Sequence, residues 1–75
     1  MALVEAYVLL NANHKTPEEI ANSLGLKPTY VATILKTYTQ VGIARATLEG
    51  RYYVPDEARE DLAERVKALI SSHKP

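Results

Sequence analysis

The side chains able to do chemistry in this 75-residue chain concentrate in two stretches. The first is GLKPTYVATILKTYTQVGI, residues 25–43. It holds Lys27 and Lys36, the hydroxyls of Thr29, Tyr30, Thr33 and Thr37, and one Gln (Gln40), but no Arg, Asn or acid. That set suits an anion, because ammonium groups neutralise phosphates and hydroxyls hydrogen-bond them. Lys27 is also a poor N-cap, so the first N–H groups of a helix starting at Pro28 lack an internal acceptor. They are left either to water or to a bound anion. The second stretch, residues 56–64, carries five acids and one Arg. It reads as a solvated helix face rather than as an acid/base pair. Arg45 and Arg51 lie between the two stretches.

Nothing here assembles a reaction centre. There is no Gly-rich phosphate loop and no nucleophile beside a base. Cysteine is absent, which excludes disulfides and thiolate metal sites. His14 and His73 are far apart, have no ligand partners at a metal-site spacing, and read as surface residues. A chain this short has little room for a substrate pocket. No catalytic residue, metal or cofactor is expected, and the chain is not read as an enzyme.

The same length allows one domain, residues 1–75, with a core worth only about 3–5 kcal/mol. A dimer interface is the most plausible supplement. Formal net charge is zero, unevenly spread. Residues 1–54 carry five Lys/Arg and four Asp/Glu, residues 56–64 a net −4, and residues 65–75 three bases and no acid. Any basic surface must therefore be local. Nothing resembles a signal peptide. The longest apolar run, Tyr7–Leu10, falls far short of the roughly 20 residues a bilayer needs, so no membrane association and a cytoplasmic location are expected.

Four helices and a hairpin must position these groups. Ala2 to about Asn11 is apolar over most of its circumference, with Leu3, Ala6, Tyr7 and Leu10 on one face. It is expected to be buried on more than one side, by its own core or by a partner chain. Thr16-Pro17-Glu18-Glu19 starts a second, short helix through an N-cap, a first-turn Pro and a capping box. Ile20, Ala21 and Leu24 face inward, and Gly25 ends it. Pro28 opens the third helix, with Val31, Leu35 and Tyr38 inward, Ile34 on the flank, and Gly42 as the stop. Residues 43–54 read as a hairpin turning at Glu49-Gly50. Pro55 begins the last helix, whose acids precede Arg65, Lys67 and His73 in the order the macrodipole favours. Its stripe is Leu62, Val66, Leu69 and Ile70.

This order resembles the winged helix-turn-helix family. T-P-E-E-I-A-N-S-L-G-L (Thr16–Leu26) is similar to the family's T-x-E-E-I-A-x-x-L-G-L segment. V-x-x-x-L-x-x-Y-x-x-V-G-I (Val31–Ile43) is similar to its V-x-x-x-L-x-x-L-x-x-x-G-L-I segment, and Glu49–Val54 to its wing and return strand. The likeness covers about residues 3–54, with residues 55–75 as a C-terminal helix and possible dimerisation element. It implies a mainly α fold: a three-helix core, a two-stranded wing and that last helix.

The resemblance also implies a function. Most such domains of this size are DNA-binding transcriptional regulators of bacterial or archaeal type. The third helix would enter the major groove of double-stranded DNA, with the wing on the backbone or minor groove. Carried over by position, the contacts are Lys27, Thr29, Tyr30, Thr33, Lys36 and Thr37, with Arg45 and Arg51 on the wing and Arg51 at its tip. Lys27, Lys36, Arg45 and Arg51, with Lys15 as a fifth, give four or five phosphate contacts per chain, so a homodimer is needed for a normal salt dependence. Leu3, Tyr7, Leu62, Val66 and Leu69 are its candidate interface. A nucleoid-associated protein follows. Without Arg, Asn and several Gln the helix cannot make bidentate base contacts, so modest specificity through Thr, thymine methyls and DNA shape is expected. The competing class is a protein-interaction module using an exposed Ile34 and Tyr30.

Overall fold

The computed structural model describes residues 2–72, so His73 lies outside the described residues. Its elements are α1 (Leu3–Leu10), β1 (Asn13–Lys15), α2 (Pro17–Leu24), α3 (Pro28–Gln40), β2 (Arg45–Ala46), β3 (Tyr52–Tyr53) and α4 (Asp56–Ser72). The protein is thus mainly helical, with a small antiparallel sheet of order β1-β3-β2.

The ends of α2 follow directly from local sequence. Thr16 Oγ1 accepts from the Glu19 N–H at 3.2 Å, and the Thr16 N–H donates to Glu19 Oε1 at 3.0 Å. Two first-turn groups are satisfied reciprocally. At the other end Gly25 adopts φ 69°, and the Leu26 N–H bonds the Ala21 carbonyl at 2.9 Å. A side chain at that φ would cost energy that Gly does not.

The expected two-stranded hairpin is corrected to three strands. Residues 13–15 extend between α1 and α2, and Asn13 and Lys15 pair with Tyr53 and Tyr52 across an irregularity in register. His14 sits at that irregularity with φ 55°, and its ring stacks on Tyr53 at 4.7 Å and 17°. The hairpin's strands are only two residues each, so the third strand gives β3 a partner on both edges.

One core joins every helix. Val8 and Leu9 of α1, Ile20 of α2, Val31, Ile34 and Leu35 of α3, Leu62 of α4 and Val54 just before α4 are all buried in it. Ile34 is 4% exposed, so it is core and not a flank residue. α2 packs mainly on α3, and α4 mainly on α1, which also touches α2 and α3. Arg59 joins α4 to α1. Its Nη1 donates to the Leu10 carbonyl and its Nη2 to the Ala12 carbonyl, each at 2.8 Å. Those carbonyls lie at and just past the C-terminal end of α1, where the helix has no N–H to offer. Glu5 and Arg65 both neighbour Tyr38, so α4 runs antiparallel to α1.

Candidate functional site

The outer face of α3 gathers six of the expected contact residues. Lys27, Thr29, Tyr30, Thr33, Lys36 and Thr37 are all exposed, while Val31, Ile34 and Leu35 fill the opposite side. Separation follows from spacing: Thr29, Thr33 and Thr37 recur every four residues and form one line. No acid occurs in α3. The acids of α4 belong to a helix whose main contacts are with α1 rather than with α3.

The threonine line has a defined polarity. Thr33 Oγ1 donates to the Thr29 carbonyl at 3.0 Å, and Thr37 Oγ1 donates to the Thr33 carbonyl at 2.9 Å. Each hydroxyl proton is therefore used within the helix. What remains outward is an oxygen acceptor and a methyl group, a pair that matches an amino donor beside an apolar edge.

The start of α3 is more closed than the sequence implies. Lys27 provides no side-chain cap, but Pro28 has no N–H and the Tyr30 N–H donates to the Lys27 carbonyl at 3.1 Å. Of the first three helical residues, only Thr29 keeps a free N–H for water or an anion.

The hairpin differs more. Arg51 is not at its tip. The Thr47 N–H donates to the Arg51 carbonyl at 2.8 Å and the Arg51 N–H to Thr47 Oγ1 at 3.1 Å, which places Arg51 at the base of the loop. Its Nη1 turns back and donates to the His14 carbonyl and to Glu19 Oε1, both at 2.9 Å. Arg51 thus ties the hairpin to β1 and α2. The tip is the turn closed by the Gly50 N–H on the Thr47 carbonyl at 3.2 Å, with Leu48, fully exposed, and the exposed acid Glu49 at its centre. Lys27, Lys36 and Arg45 are exposed and form no ion pair among the described residues, and Lys15 is half-exposed.

Hydrogen bonds set the charge state of Glu19. The Thr16 N–H bonded to its carboxylate, then the Thr16 hydroxyl and the Arg51 guanidinium, hold its pKa below the ordinary range against a smaller opposing effect of burial. Tyr38, half-buried, moves the other way: burial first, then the Glu5 carboxylate, raise its hydroxyl pKa, and Arg65 opposes them.

Of the residues expected at a dimer surface, Tyr7 is exposed, while Leu3 and Leu69 are half-buried. Leu62 and Val66, 4% and 8% exposed, lie within the chain's own packing. Sequence reasoning missed Arg59, because its carbonyl partners are 47 and 49 residues away. It also passed over Leu48, although a lone Leu in a Gly-containing turn was a readable signal. Among the described residues no group of three or more His, Cys, Asp or Glu is placed to hold a metal ion, and no helix is long and apolar enough to cross a membrane. No protein-family model matches the chain, and no curated protein or solved structure is detectably similar to it.

Proposed function

We propose that the chain is a small winged helix-turn-helix protein that binds double-stranded DNA as a homodimer and regulates transcription. α3 is the helix that enters the major groove, and the β2–β3 hairpin is the wing that meets the backbone or minor groove. The observation that carries this reading is the outer face of α3: two cations, three threonines and a tyrosine without one acid, in a chain whose net charge is zero. A polyanion can approach that face without desolvating or repelling a carboxylate. Lys27, Lys36 and Arg45 supply phosphate contacts. Thr33 and Thr37, with hydroxyl protons already spent, accept from base amino groups and lay methyls on thymine.

Three free cations per chain make six per dimer. Affinity then falls about 10³-fold between 50 and 200 mM salt. A titration of mixed-sequence duplex across that range tests the reading. Binding that weakens steeply with salt supports it, and no binding at 50 mM sinks it.

A second reading, a protein-interaction module, draws on Leu48 and Val41, both uncovered. Ile34 no longer supports it, being core. Leu48→Ala separates the two, since it weakens a partner complex and, leaving every charge unchanged, keeps the salt dependence of DNA binding in place.

A further inference from the structure

Two stripes run side by side along α4. Arg59, Leu62, Val66 and Leu69 repeat at alternating three- and four-residue steps and turn toward α1, buried or half-buried. Asp56, Glu60, Ala63, Lys67 and Ile70 repeat at alternating four- and three-residue steps on the neighbouring face. Of these only Ala63 is half-buried; the others are exposed. α1 cannot cover the whole of α4. α1 has 8 residues and α4 has 17, about 12 Å against about 25 Å of helix. Because Arg59 meets the C-terminal end of α1, the end of α4 bearing Ile70 runs out past the other end of α1. Ile70 and Tyr7 are among the few large apolar side chains left uncovered.

The exposed stripe is ordered by charge: acids before Ala63, a cation and then an isoleucine after it. The macrodipole accounts for acids at the start of a helix and bases near its end. It does not account for their lying on one exposed seam about a small residue, with an apolar side chain at the far end. Laid parallel on a copy of itself, the stripe would set Asp56, Glu60 and Lys67 against their own likenesses, which is unfavourable. Laid antiparallel about Ala63, it sets Glu60 against Lys67 of the copy on both sides of the crossing, with Ile70 over the turn that bears Asp56. A small residue at the crossing allows close approach of the backbones.

We propose that α4 is the surface that docks a second copy of this chain, antiparallel, about a two-fold axis passing at Ala63. Glu60 faces Lys67 of the partner subunit, and Ile70 covers the start of the partner's α4. The inference rests on the homodimer named above and not on its DNA, and replaces Leu62 and Val66 with the adjacent stripe as the contact.

The full chain, without DNA, tests it by sedimentation equilibrium. The wild type is a dimer. Glu60→Lys and Lys67→Glu each raise the dimer dissociation constant roughly tenfold or more, because each reversal creates two repulsions, and the double reversal restores it. The chain has no cysteine, so single thiols report geometry. Ala63→Cys forms a disulfide-linked dimer on mild oxidation. Lys67→Cys does not, since antiparallel pairing holds the two positions about 12 Å apart along the axis, beyond disulfide reach. A monomeric wild type overturns the proposal. So does a dimer that the double reversal fails to restore, or one that cross-links through position 67 as readily as through 63. DNA binding by a monomeric wild type would sink this interface and leave the DNA reading standing. A dimer of this geometry that ignores DNA would do the reverse.

Discussion

Helices α3 and α4 both pack on α1, and each turns a long polar face to solvent, but the two faces are built from different chemistry. On α3 the face is uncharged apart from Lys27 and Lys36, and the hydroxyls of Thr33 and Thr37 bond its own carbonyls. On α4 both signs of charge are present, segregated along the helix axis. A zero net charge conceals this division. The first face is compatible with any polyanion, the second only with a surface carrying the opposite order of charge. Net charge is a poor guide for a chain this small, because a few angstroms of helix decide which partner each face tolerates.

The largest effect comes from crossing the boundary between the faces of α3. Ile34→Asp places a carboxylate among Val31, Leu35 and Ile20 with no partner. Lost burial and an unpaired buried charge together cost about 4–5 kcal/mol or more, as much as a core of this size supplies. Circular dichroism is expected to show an unfolded chain. Thr33→Asp, one residue away on the exposed side, is expected to remain folded. If both variants fold equally well, the division of α3 is wrong.

Next is the joint that holds α4 against α1. Arg59→Ala removes two charge-assisted bonds to the Leu10 and Ala12 carbonyls. A loss of about 2–3 kcal/mol is expected, much of it from carbonyls left without donors. Urea unfolding measures it. Arg59→Lys recovers little, since an ammonium cannot fork to two carbonyls.

These two sites also mark what could be read from the chain alone. The α2 cap was legible because Thr16 and Glu19 meet within one turn, and the inward stripe Val31–Leu35–Tyr38 because helical period places it. Gly25 was legible by its position after that short helix. β1 was not, since Asn13-His14-Lys15 has no apolar alternation and owes its strand to Tyr52 and Tyr53 far along the chain. Arg51 read as a free cation because Glu19 lies 32 residues away. The residues of the α3 face were therefore recoverable from period alone, whereas the number of cations free to serve it was not. Arg51 and Arg59 share one cause, a long polar side chain that chose a non-local backbone or carboxylate partner, and β1 is its backbone counterpart.

The two polar faces separate most directly through DNA. Lys36→Ala is expected to lower affinity about five- to tenfold at low salt and to reduce the magnitude of the salt slope by about two for the dimer. Glu57→Gln, on α4, is expected to change affinity less than twofold. Fluorescence anisotropy over a salt series gives both numbers. Equal effects from the two helices would mean that α3 is not the contacting face.

The smallest effect concerns Glu19, which serves α2 and the hairpin at once. Its carboxylate takes the Thr16 N–H and the Arg51 guanidinium, and its pKa is lowered in the folded chain. A lowered carboxylate pKa means that the unfolded chain binds the proton first as pH falls. The stabilisation is therefore present above the ordinary carboxylate pKa and is lost as pH falls through the folded value. Because the pair is solvent-exposed, the change is small. Glu19→Gln keeps an oxygen for the Thr16 N–H but cannot ionise, so its stability is expected to vary less over that acidic window than the wild type's. Thermal melts at stepped pH decide it, and parallel slopes for the two proteins would show that neither Thr16 nor Arg51 holds the Glu19 carboxylate in solution. In that event Arg51 rejoins Lys27, Lys36 and Arg45 as a free cation, and the salt slope of the dimer should be steeper by about two.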